Sequence, residues 1–213
     1  MNSTYRNEAR HYYSSQQIPT LSLEVPVRII LGSRSKGRME VLKRMGCRFE
    51  TMAADIDEKA IRDNDPRRLT LSLAHAKADA LLPHVHTGLL ITSDQVVVCN
   101  GAILEKPDNS DDARRYLEGY AEFPAETVTA VVVTNIAIHT RVEGVNVAKV
   151  VFRRIPLDVI DGVIHSGEVL HHAGAFSLED PLLKDYIVRV EGEPESVMGL
   201  PAEMTKRLLK EAQ

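Results

Sequence analysis

Apolar positions along this chain alternate between two periods. Val27 to Leu31, apolar except for Arg28, reads as a buried strand. Ser35 to Met45 carries Met39, Leu42 and Met45 at helical spacing, with Gly46 as the stop. Phe49 to Ala53 predicts a short strand that delivers Asp55-Ile56-Asp57-Glu58 into a loop, and Asp65-Pro66 opens a helix running to about Leu82 before Pro83. Leu89 to Thr92 and Val96 to Cys99 read as two strands, with an Asn100-Gly101 turn leading back to Ile103-Leu104. Asn109 or Ser110, followed by Asp111-Asp112, caps a helix through Leu117. Two long β-rich segments, Thr127 to Thr140 and Val145 to Arg154, predict antiparallel neighbours joined near Glu143-Gly144. A helix over Leu157 to His165, a strand over Tyr186 to Val190 and a helix over Ala202 to Ala212 complete the chain. A parallel βαβ start combined with a long hairpin predicts a mixed α/β fold. Its elongated central sheet is flanked by helices, with two lobes and a cleft.

Residues 1–24 break the pattern. Tyr5, Arg6, Arg10, His11, Tyr12 and Tyr13 precede Ser14-Ser15-Gln16-Gln17, with no apolar centre for a signal peptide, and read as a flexible extension before a single domain over 25–213. Of the 213 residues, 44% are hydrophobic and 26% charged, the balance of an ordinary globule, and the uncharged apolar runs are too short to cross a bilayer. A net charge of −4 excludes a nucleic-acid polymer held by a broad positive field, so any phosphate chemistry must rest on a local basic cluster. Cys47 and Cys99 have no zinc or disulfide spacing, which places the expectation in the cytoplasm.

Candidate chemistry lies where charge meets the apolar pattern. The apolar run ending at Leu31 passes through Gly32-Ser33-Arg34-Ser35-Lys36-Gly37-Arg38 into a helix. Unpaired N–H groups at such a helix start favour an anion, and Ser33, Ser35, Lys36 and Arg38 add donors. A plain N-cap with a solvated basic face would look the same. In the predicted helix opened by Asp65-Pro66 the row Leu73, Lys77, Leu81 puts an ammonium on the apolar face. Lys77 either snorkels outward or reaches an anion site. Asp94 interrupts apolar sequence on both sides and is expected at a strand end, bonded to donors, a cation or a reacting water. Glu105-Lys106-Pro107 is either a second charged strand end or a surface turn. Glu58 and Asp94 with this basic set can hold a metal–polyphosphate complex, with Mg²⁺ or Mn²⁺ as the cation. No G-x-x-x-x-G-K-[ST] motif is present, and His171-His172 reads as a surface pair.

Seven ordered segments together resemble the Maf family of nucleoside triphosphate pyrophosphatases: Leu31 to Arg38, Asp55 to Glu58, Ala74-His75-Ala76-Lys77-Ala78, Ser93-Asp94-Gln95-Val96, Glu105-Lys106-Pro107, Ala173-Gly174-Ala175-Phe176 and Ser196 to Pro201. The resemblance implies an inosine triphosphatase-like fold, hydrolysis of a nucleoside triphosphate to monophosphate and pyrophosphate with a divalent cation, and a homodimer. By position it makes Asp94 the catalytic acid and proton acceptor, with Ser33, Arg38, Glu58, Lys77 and Lys106 as polar site residues. Ser35 completes the phosphate-facing set. Gln95 after the catalytic Asp, and Glu179 after Phe176-Ser177-Leu178, resemble the subgroup acting on 7-methyl-GTP rather than that acting on dTTP and UTP. A carboxylate at 179 can accept from guanine N1–H and its amino group and complement a cationic methylated ring. Two departures stand out: Lys36 replaces the usual Pro, and Gly37 the usual Arg or Trp. The alternatives are a dTTP/UTP pyrophosphatase of the same family, or a nucleotide-binding regulator of septum formation without turnover.

Overall fold

The structure, a computed structural model, describes Ile18 and residues 27–213. The expected extension over 1–24 therefore lies outside the described residues apart from Ile18. In chain order the elements are β1 (Ile29–Leu31), α1 (Lys36–Arg44), β2 (Phe49–Thr51), α2 (Pro66–Leu81), β3 (Leu89–Cys99), β4 (Ala102–Leu104) and α3 (Ser110–Gly119). These are followed by β5 (Ala125–Asn135), β6 (Thr140–Phe152), α4 (Leu157–His165), β7 (Ile187–Glu191), α5 (Pro194–Val197) and α6 (Ala202–Glu211). The sheet has the order β2-β1-β3-β5-β6-β7, with β4 paired to β3. Its β1–β2 and β1–β3 pairs are parallel and its β3–β4 and β6–β7 pairs antiparallel, so the expected mixed α/β sheet flanked by helices is present.

Local sequence chemistry explains the helix starts. Ser35 caps α1 by accepting from the Arg38 N–H, Asp65 caps α2 by accepting from the N–H groups of Arg67 and Arg68 with Pro66 in the first turn, and Asn109 caps α3 through the Asp112 N–H. Gly46, at φ +75°, ends α1 in the left-handed conformation that glycine adopts without penalty. The Asn100-Gly101 turn forms as expected, with both residues at positive φ and Cys99 paired to Ala102.

Two expectations are corrected. The break at Asp94 does not exist: β3 is one strand of eleven residues, and Asp94 lies in its middle. A charge inside a buried strand is tolerated because a basic partner answers it, as shown below. The β5–β6 connection spans 136–139, with Asn135 Oδ1 accepting from the Ala137 N–H, and not Glu143-Gly144. Gly144 lies inside β6, where a Cβ would fall 2.7 Å from Met204 Sδ of α6, so this glycine marks a close approach and not a turn.

The chain divides into two compact units. One holds, among the described residues, Ile18, 27–95, 128–146 and 198–213. Strand alternation builds its layers: Ile29, Leu31, Leu89 and Ile91 pack with Val41, Leu42, Leu208 and Leu209 of α1 and α6, while Ile30 and Leu90 pack with Ala78 and Leu81 of α2. The other unit holds, among the described residues, 96–127 and 147–197. Its core gathers Leu117, Ile160, Val163, Leu183 and Val190 around an aromatic trio of Tyr120, Phe152 and Phe176.

Candidate active site

The period of β3 decides what surrounds Asp94. Leu90, Thr92 and Asp94 share the face toward α2; Thr92 Oγ1 donates to the Ala74 carbonyl at 2.8 Å, and Asp94 Oδ1 accepts from Lys77 Nζ at 2.5 Å. The buried row of α2 comprises Leu73, Ala74, Lys77, Ala78 and Leu81, so the ammonium suspected on the apolar face is buried, not snorkelling. Lys77 Nζ also pairs with Glu58 Oε1 at 2.9 Å. Glu58 opens a short turn over Glu58–Ala60, capped by the Asp57 carboxylate accepting from the Lys59 N–H, and its side chain is about half exposed. Two carboxylates from separate segments thus meet one ammonium, one buried and the other open to solvent.

Ser93 points to the opposite face of β3 and donates to the Gly199 carbonyl at 3.0 Å. The same carbonyl accepts from Arg38 Nε at 3.0 Å, while Arg38 Nη1 donates to Ser33 Oγ at 3.2 Å. Ser33 Oγ further accepts from the Ser35 N–H at 3.1 Å. The expected strand-to-helix cradle is therefore organised, with Ser35 as the cap, Ser33 as its inner hydroxyl and the half-buried Arg38 side chain tying it to the Met198–Gly199 segment. Lys36 is exposed. Gln95, next to Asp94, donates from Nε2 to Thr129 Oγ1 of β5 at 3.0 Å.

Electrostatics follow from this burial. Desolvation pushes the Asp94 carboxyl above its ordinary range; Lys77 and Arg38 pull it back in part, and Glu58 pushes it further up. Desolvation lowers the Arg38 guanidinium, opposed by Asp94 and Glu58. An acid held on the basic side of its usual range is a better proton acceptor when ionised. Among the described residues no group of three or more His, Cys, Asp or Glu is arranged to hold a metal ion.

Lys106 and Glu179 belong to the other unit, and both are exposed. Lys106 follows β4, and its charge helps burial to lower the pKa of His172. Glu179 sits in a turn where its N–H donates to Ser177 Oγ at 3.3 Å. The expected surface pair is split in character, since His171 is exposed and His172 half-buried. Sequence reasoning assigned no role to Ser93 or Gly199. Their signal was the glycine in Met198-Gly199-Leu200-Pro201, at φ +92°, and a serine beside the buried acid.

Comparison with known proteins places this geometry in context. The family model described as Maf-like protein matches residues 28–212. A 7-methyl-GTP pyrophosphatase of Dictyostelium discoideum is 44% identical over 191 residues, covering 86% of this chain and 96% of its own length. A dTTP/UTP pyrophosphatase of Anaeromyxobacter dehalogenans is 34% identical over 187 residues, covering 87% of this chain and 94% of its own. A 7-methyl-GTP pyrophosphatase of Idiomarina loihiensis is 32% identical over 176 residues, with coverages of 82% and 89%.

Proposed function

The chain belongs to the Maf-like protein family, and from that premise we propose that it hydrolyses a nucleoside triphosphate to monophosphate and pyrophosphate, with 7-methyl-GTP as first-choice substrate. The observation that carries the reading is the meeting of Asp94 and Glu58 on buried Lys77, in the unit that also holds the Ser33–Arg38 cradle. Asp94, kept basic for a carboxylate, takes a proton from water as the water oxygen bonds to the α-phosphorus. The bond from that phosphorus to the bridging oxygen breaks, and its electron pair leaves with pyrophosphate. Arg38 and Lys77 offset charge growing on the phosphate oxygens, and the Ser33 and Ser35 hydroxyls orient them.

Glu58 and Asp94, which converge where the Lys77 ammonium lies, are the carboxylates proposed to hold a divalent cation, since magnesium takes one or two protein carboxylates and completes its shell with water and substrate phosphates. Bound there, Mg²⁺ or Mn²⁺ would supply further neutralisation of the polyphosphate. We assign Lys106, a polar site residue by resemblance, to charge on the leaving pyrophosphate alongside Arg38 and Lys77, and Gln95 and Glu179 to the base, where Glu179 accepts from the donor edge of guanine. The chain is further proposed to work as a homodimer in the cytoplasm. Two free cysteines accord with a reducing compartment.

The test is a panel of 7-methyl-GTP, GTP, dTTP and UTP with Mg²⁺ or Mn²⁺ and product identification. Pyrophosphate release, fastest from 7-methyl-GTP and reduced at least about 100-fold in Asp94→Asn, is expected. Release of single phosphates, or an undiminished Asp94→Asn, rejects the reaction. A preference for dTTP and UTP rejects the base assignment alone.

A further inference from the structure

We propose that Tyr120 is a positioning residue that locks the loop bearing Lys106 to the loop bearing Glu179 through the two polar backbone atoms of Gly174. The Tyr120 hydroxyl, fully buried at the end of α3, donates to the Gly174 carbonyl at 2.7 Å. The Gly174 N–H donates to the Glu105 carbonyl at 3.0 Å, one residue before Lys106. A single peptide position is thus held at both ends, by a side chain on one side and by the Lys106 loop on the other.

The position favours glycine on two counts. Gly174 has φ +69°, and a Cβ there would lie 2.6 Å from the Tyr120 hydroxyl oxygen and 2.7 Å from Val97 Cγ2. Ala175, also at positive φ, keeps the chain in the left-handed region for a second residue. Phe176 then turns its edge to both Tyr120 and Phe152, with centroids at 5.6 and 5.3 Å. Tyr120 also stacks on Phe152 at 5.3 Å, a packing contact separate from its hydrogen bond. Glu179 follows Phe176 by three residues and inherits this anchorage.

A tyrosine that only filled the core would need a partner for its hydroxyl, but the choice of partner would be indifferent to catalysis. This one clips together two loops that the proposed function assigns to leaving pyrophosphate and to base choice. The inference rests on that assignment and predicts that turnover and base selectivity are lost together, since small displacements of positioned groups are costly.

The experiment compares Tyr120→Phe, which removes one oxygen, with Phe152→Leu, which loosens the rings but keeps the hydrogen bond. In Tyr120→Phe, kcat on 7-methyl-GTP falls about tenfold, and its advantage in kcat/KM over dTTP shrinks by a similar factor. Phe152→Leu lowers Tm while leaving the selectivity ratio within about twofold. On a Glu179→Gln background, Tyr120→Phe causes no further loss of selectivity, as two residues acting through one contact are non-additive. Amide hydrogen exchange, which needs no turnover, speeds up in Tyr120→Phe at Glu105 and Lys106 and over 174–179 together. Unchanged exchange in either segment overturns the proposal, as does a Phe152→Leu selectivity loss matching that of Tyr120→Phe. A wild-type protein that turns over none of the triphosphates defeats the functional reading instead, and the exchange data still decide the clasp.

Discussion

At the residue scale the account turns on one buried ion pair. Lys77 and Asp94 leave about a tenth of each side chain exposed, and removing one partner of such a pair strands the other charge. Lys77→Met is expected to cost about 3–5 kcal/mol at neutral pH. Burial already raises the Asp94 pKa against the pull of Lys77, so losing Lys77 raises it further. A carboxyl whose folded pKa lies above its unfolded value weakens the fold above that pKa, and the loss is relieved as pH falls through it toward the ordinary carboxylate range. The Lys77→Met deficit should therefore shrink on acidification, as measured by chemical denaturation of both proteins with chelator present. A deficit independent of pH would show that Asp94 does not carry it. Lys77 was legible in the sequence because an ammonium in an apolar helical row demands an answer. Asp94 was legible as a charge that needs a partner but was misplaced, because a charge in a linear string resembles a strand end until its tertiary partner is known.

At the element scale, the start of α1 is bound to the Met198–Gly199 segment as well as to its own cap. A Cβ on Gly37 would stand 2.7 Å from the Met198 carbonyl oxygen, a backbone atom that cannot swing aside. Glycine to alanine inside a helix ordinarily gains up to about 1 kcal/mol, whereas forcing atoms into filled space costs about 1–3 kcal/mol. The clash should win, so Gly37→Ala is expected to lower Tm and, by shifting Gly199 away from Arg38, to reduce activity. A more stable and equally active Gly37→Ala would refute the packing. The larger residue usual at this family position thus has no room on this backbone, which gives the departure at Gly37 a physical reading. Helix caps and the Asn100-Gly101 turn were legible because their chemistry is local. The β5–β6 turn was not, since Gly144 answers to α6, some sixty residues later in sequence, and not to its neighbours.

At the scale of the whole molecule, the mixed sheet and its flanking helices follow from the order of periodic segments, and the family match covers nearly all of that body. What the linear pattern did not reveal is how the chain shares its residues between units. The set Ser33, Ser35, Arg38, Glu58, Lys77, Asp94 and Gln95 lies in one, while Lys106 and Glu179 lie in the other. Strands β3, β5 and β6 contribute to both, so residues adjacent in sequence, such as Gln95 and Val96, fall to different units. Long-range hydrogen bonds decided the rest: Gly199 and Gly174 each accept from a side chain far away in sequence, a pairing no local motif announces.

The central claim is that water, readied by Asp94, attacks the α-phosphorus of a nucleoside triphosphate. Hydrolysis of 7-methyl-GTP in water enriched in heavy oxygen, with mass analysis of both products, tests it most directly. The label is predicted to appear in the nucleoside monophosphate, with the pyrophosphate unlabelled; label in pyrophosphate or in free phosphate would contradict the account.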